Sequence, residues 1–135
     1  LVGKDTVSRE EIHKRKVEHL DRGKTALVVE DRQYVRQSLE IFLGQLGYVV
    51  ASAPCVEEAV EALGGSNYDL MLIDAQLTPG QFDGIELMER TLDTHKDMKV
   101  VLVTGYLEQI GKVDPRVYSI IPKPFTLEQL TNAIA

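Results

Sequence analysis

The sequence predicts an α/β domain in which a five-stranded parallel sheet carries helices on both faces. Three observations point there. Short β-branched apolar runs lack the in-out alternation of a half-exposed strand, so they suit strands buried on both faces. Between these runs, apolar residues recur every three or four positions, the helical period. Acidic or polar residues also stand directly after several runs, where the carboxyl edge of such a sheet would lie.

The elements follow in order. Residues 1–22 are dense in charge, with apolar residues thinly spaced at Val7, Ile12, Val17 and Leu20, and read as a linker or a solvated helical extension. The compact domain is expected over residues 23–135. Thr25-Ala-Leu-Val-Val29 is the first strand, followed by the acidic pair Glu30-Asp31. Val35, Leu39, Phe42, Leu43 and Leu46 mark a helix that stops at Gly47. Tyr48 to Ser52 form a second strand, and Pro54 suits the first turn of a helix with Val56, Ala59, Val60 and Leu63 on one side, ended by Gly64-Gly65.

Asp69 to Asp74 is a third buried strand with a carboxylate at its end. After a loop containing Pro79 and Gly80, Ile85, Leu87, Met88 and Leu92 support a third helix, and Lys99 to Val103 a fourth strand, followed by Thr104-Gly105. A short helix is expected near 107–111 and a fifth strand over Val117 to Ile121. Thr126 and Gln129 then form a capping-box pattern opening a last helix with Leu127, Leu130 and Ile134.

Bulk properties narrow the function. A chain of 135 residues with 44% hydrophobic content supports one core rather than two domains. The formal charge of −6 and a pI near 5.0 argue against nucleic-acid binding by this domain alone, because that affinity comes from clustered Lys and Arg. No apolar run is long enough to span a bilayer, so no membrane association is expected. Cys55, the single cysteine, can form no internal disulfide, which fits a cytoplasmic setting. It reads as filler at a helix start, Met71 and Met88 as core, and His19 and His95 as surface residues. Nothing around His13 resembles a phosphoaccepting histidine box.

The chemistry lies at the strand ends. Glu30 and Asp31 follow strand one, Asp74 ends strand three, Thr104 follows strand four and Lys123 follows strand five. If strands one, three, four and five are neighbours, these side chains share one crevice. Taken singly each is ordinary: an acidic pair caps a helix, an Asp ends a strand, a Lys between prolines sits in a solvated loop. Unrelated caps need not converge, so the joint placement carries the reading. Two carboxylates about 4 Å apart repel by about 4 kcal/mol at an effective dielectric near 20, so clustered acids hold a proton or a cation. With oxygen donors only, Mg2+ is the expected ion. Asp74 could then attack phosphorus and form an acyl phosphate, with Lys123 and Thr104 on the phosphoryl oxygens.

LVVEDR at 27–32, LMLIDAQ at 70–76, DG at 83–84, VLVTGY at 101–106 and PKPF at 122–125 together resemble response-regulator receiver domains, from Gly23 to the end. The resemblance implies a flavodoxin-like doubly wound sheet of order 2-1-3-4-5 with about five helices. It implies Asp74 as phosphoacceptor, Glu30, Asp31 and Asp74 as metal-site acids, and Gln76 as a backbone-carbonyl ligand of Mg2+. Thr104 would be the switch hydroxyl and Lys123 the phosphoryl-binding base, with a cis peptide before Pro124. The implied function is a phosphorelay switch rather than an enzyme, taking its phosphoryl group from a histidine kinase or a phosphotransfer protein, with a homodimer as a further assembly. The TGY form at 104–106 looks like receivers that are attached to, or work with, hybrid sensor kinases.

The chain also departs from the family pattern. Asp74 and Gly84 lie further apart than is common, Ile120 stands where an aromatic switch residue is usual, with Tyr118 two residues earlier, and the stretch from Thr104 to Lys123 is short. A reshaped loop, a switch position without its aromatic gate and a small fourth helix are the expectations. Gln76 and Tyr106 flank the expected path of an attacking water. The alternative function is a receiver-like docking or dimerisation module that works without phosphorylation. A phosphatase fits less well, since Gln76 stands where its second acid would be, and a flavin carrier lacks a stacking loop.

Overall fold

The structure is a computed structural model describing residues 24–77 and 83–135. The expected extension at 1–22 and the lengthened segment Thr78 to Gln81 lie outside the described residues. In chain order the elements are β1 (Thr25–Val29), α1 (Gln33–Gln45), β2 (Val49–Ala53), α2 (Val56–Gly65), β3 (Leu70–Asp74), α3 (Asp83–Thr94), β4 (Lys99–Thr104), α4 (Leu107–Ile110), β5 (Ser119–Pro122) and α5 (Leu127–Ile134). The five strands form one parallel sheet of order β2-β1-β3-β4-β5, as the resemblance implied.

Strand residues alternate between two apolar layers, because successive side chains point to opposite faces. Leu27, Val29, Met71, Ile73, Val100 and Leu102 join Ala59 of α2 and Leu87, Met88 and Leu92 of α3 on one face. Ala26, Val28, Leu70, Leu72, Val101 and Val103 join Leu39 and Leu43 of α1 and Leu130 and Ile134 of α5 on the other. All five residues of β3 are buried, which is why Leu70 to Ile73 is continuously apolar. Burying each such side chain is worth about 2 kcal/mol.

Element ends are set by local chemistry. Gly47 takes φ 97, a left-handed conformation that turns the chain from α1 into β2. Thr126 caps α5: its hydroxyl accepts from Gln129 N–H while the Gln129 side chain accepts from Thr126 N–H, at 3.1 and 2.8 Å. Pro54 is displaced from its expected place, since α2 starts at Val56 with extended Cys55 (φ −152) as its N-cap. Pro54 therefore precedes the cap instead of occupying the first turn. β2 begins at Val49 rather than Tyr48, and β5 runs Ser119–Pro122 rather than Val117 to Ile121.

The small fourth helix expected from the short connection is a single turn of four residues. Ile110, Val113, Val117 and Ile120 around it pack against the α2–α3 side of the core. Arg116 fastens this connection, donating to Asp114 Oδ2 at 2.7 Å and to Asp93 Oδ1 of α3 at 2.8 Å. Asp114 is consequently held well below the ordinary carboxylate range, at about 2, chiefly by hydrogen bonds from Arg116. His95 lies at the surface, partly covered, its ring Nδ1 2.8 Å from Thr94 Oγ1.

Candidate functional site

Parallel strands deliver their carboxyl ends to one edge, and the expected side chains meet there. Lys123 Nζ lies 2.5 Å from Glu30 Oε1 and 3.1 Å from Asp74 Oδ2, so residues far apart in sequence close around one ammonium. Carboxylate oxygens of Glu30, Asp31 and Asp74 lie within 4.8 Å of one another. Glu30 is 1% exposed and Asp74 7%, whereas Asp31 is half-buried.

Backbone groups fix the acids. Glu30 N–H donates to Ala53 O of β2 at 3.1 Å, and Arg32 N–H donates to Glu30 Oε2 at 3.0 Å. The other oxygen of Asp74, Oδ1, accepts from Gln76 N–H at 3.1 Å. Arg36 of α1 braces the acidic loop from behind, donating to the main-chain oxygens of Glu30 and Asp31 at 2.9 and 3.4 Å. The peptide between Lys123 and Pro124 is cis, as implied by the resemblance, and Lys123 N–H donates to Thr104 O at 2.8 Å.

Three carboxylates against one ammonium leave a local excess of negative charge. Burial, followed by the hydrogen bond and charge of Glu30, holds the Asp31 carboxyl above its ordinary value, with Lys123 pulling the other way. An all-oxygen donor set with surplus negative charge suits a hard divalent cation, so the residues present fit Mg2+.

A cleft of about 340 Å³ opens over this cluster, lined by Asp31, Arg32, Asp74, Gln76, Gly105, Tyr106 and Lys123. Thr104 ends β4 beside β3 but is fully buried and does not line the cleft; its hydroxyl accepts from Tyr106 N–H at 2.9 Å. Ile120 is half-buried and packs against the core, while Tyr118 is exposed just before β5, its ring 4.6 Å from Lys99 Nζ. Sequence reasoning missed Arg32 and Arg36. Arg32 carried a usable signal, standing directly after the acidic pair; Arg36 reads as a solvated charge on an amphipathic helix.

Residues 26–135 match the model of the response regulator receiver domain family. The chain is 31% identical over 107 residues to the response regulator MprA of Mycobacterium ulcerans, covering 77% of this chain and 45% of that protein. It is 29% identical over 123 residues to the sensor kinase CckA of Brucella abortus, covering 88% of this chain and 13% of that one. The chain thus spans less than half the length of either relative. Among solved structures, the response regulator TrrA of Thermotoga maritima, in complex with Mg(2+)-BeF, superposes with a TM-score of 0.72 at 28% identity, covering 82% of this chain and 96% of that one. No helix among the described residues is long and apolar enough to cross a membrane. The sheet order, the acids gathered at its carboxyl edge and the family match agree, and the chain belongs to the response regulator receiver domain family of two-component systems.

Proposed function

We propose that this chain is a phosphoryl-accepting switch in which Asp74 receives a phosphoryl group from a phosphohistidine of a histidine kinase or phosphotransfer protein. The observation that carries this reading is the convergence of Glu30, Asp31 and Lys123 on Asp74. The Mg(2+)-BeF complex of the related TrrA supports it.

Glu30, Asp31 and Asp74 would hold Mg2+ through carboxylates and Gln76 through its main-chain oxygen. When bound, the ion offsets the negative charge that carboxylates and phosphoryl oxygens bring together. Gln76 N–H and Lys123 fix the two Asp74 oxygens in place. One of these oxygens forms a bond to phosphorus as the P–N bond of the donor breaks, and the imidazole nitrogen keeps the electron pair. Lys123 then neutralises one phosphoryl oxygen, and Thr104 hydrogen-bonds another once its hydroxyl is redirected from Tyr106. Occupancy of the site would alter the surface around β4, β5 and α5. The chain catalyses its own phosphorylation and dephosphorylation but turns over no separate substrate, and contacts no nucleic acid by itself.

Incubation with Mg2+ and acetyl phosphate should add the mass of one phosphoryl group to the wild type and nothing to Asp74→Asn. A second reading, docking or dimerisation without phosphorylation, is favoured by Ile120 packing where an aromatic gate would stand. An unlabelled but folded wild type would support that reading instead.

A further inference from the structure

Among the cations at the cleft, Lys123 is already engaged by Glu30 and Asp74. Arg32 differs. Its main chain is fixed by the bond from its N–H to Glu30 Oε2, yet its side chain is exposed and has no hydrogen-bond or ionic partner among the described residues. It lines the cleft over Asp74 and also the adjoining groove formed by Tyr34, Val35, Phe42, Pro124 and Phe125. The residue therefore stands at the boundary between the groove and the cleft that holds the acids.

A phosphodonor carries negative charge toward a pocket that holds three carboxylates, and Lys123 with one bound Mg2+ only balances those, leaving no surplus positive charge to receive the donor's free oxygens. A guanidinium suits that task, since its planar fork matches two phosphoryl oxygens at once. We infer that Arg32 is the donor-recognition residue of this site, binding the free oxygens of the phosphoryl group before transfer. This rests on the reading of Asp74 as phosphoacceptor. Asp74 forms the new P–O bond, the bond from phosphorus to the leaving group breaks, and that group departs with the electron pair. Arg32 gains and loses no atoms in the step, and acts on capture of the donor.

The test is phosphorylation of the full chain by acetyl phosphate at saturating Mg2+, comparing wild type, Arg32→Ala, Arg32→Lys and Arg90→Ala. Arg90→Ala removes a like charge that pairs with Glu86 away from the cleft. Arg32→Ala should raise the half-saturating acetyl phosphate concentration about tenfold, equivalent to about 1.4 kcal/mol, while the maximal rate stays within about twofold. Arg32→Lys should recover part of the loss, and Arg90→Ala should behave as wild type. Magnesium affinity, read separately by calorimetry, should be unchanged or tighter in Arg32→Ala, because a nearby positive charge has been removed. Equal half-saturation in wild type and Arg32→Ala overturns the inference, as does an equal shift in Arg90→Ala. Weakened magnesium binding in Arg32→Ala overturns it too, by assigning Arg32 to loop positioning. Failure of the wild type to be labelled at all would instead overturn the phosphoacceptor reading.

Discussion

Gly84, in the first turn of α3, packs so closely on the end of β3 that a Cβ there would overlap the main-chain oxygen of Asp74. Its N–H also donates to Ala75 O at 3.2 Å. Gly84→Ala must push α3 away from the strand or shift the peptide that carries the Asp74 carboxylate. The expected cost is about 3 kcal/mol in chemical denaturation, with slower phosphorylation by acetyl phosphate.

Lys123 neutralises two carboxylates that are almost fully out of water. Removing it leaves their mutual repulsion uncompensated. Lys123→Ala should lose about 3 kcal/mol in the metal-free protein, and much of that loss should disappear in saturating Mg2+. Paired thermal melts with and without the ion measure both effects.

The raised Asp31 carboxyl gives a pH dependence of definite sign. The folded state binds this proton more tightly than the unfolded chain. The stabilisation is therefore complete below the ordinary carboxylate value of 3.8 and fades as pH climbs through the raised value. Asp31→Asn should make the metal-free protein more stable at neutral pH and reduce its magnesium affinity. A potentiometric titration of wild type against Asp31→Asn isolates the group, and saturating Mg2+ should move that titration to lower pH, because the bound cation favours the ionised carboxylate.

Gln76 and Tyr106 both line the cleft over Asp74, and Tyr106 is 44% exposed. If Asp74 is the phosphoacceptor proposed above, their side chains stand where they can screen it from water. Replacing both with Ala should shorten the lifetime of the phosphorylated state about tenfold, a change of about 1.4 kcal/mol in the barrier. Decay of phosphorylated protein after donor removal measures it, and an unchanged rate would refute the role.

Much of the architecture was legible because its central strands are buried on both faces, which forces runs such as Leu70 to Ile73 to be continuously apolar. Edge strands are less constrained. β2 and β5 lie at the edges of the sheet, and their starts fall one and two residues after the expected ones, though central β3 also starts one residue later, at Leu70 rather than Asp69. Pro54 misled because a fixed φ fits several positions near a helix start, and only the extended Cys55 backbone decides among them. The acids and Lys123 could be found from their places after strands. The brace from Arg36 could not, since it bonds main-chain oxygens that leave no trace in side-chain pattern. The inward burial of Thr104 also depends on how β4 is seated between its neighbours rather than on its own residues.

The bond from Lys123 N–H to Thr104 O ties the residue that follows β5 to the last residue of β4. The position of the β4 tip therefore helps set the height of the residue whose ammonium holds Glu30 and Asp74.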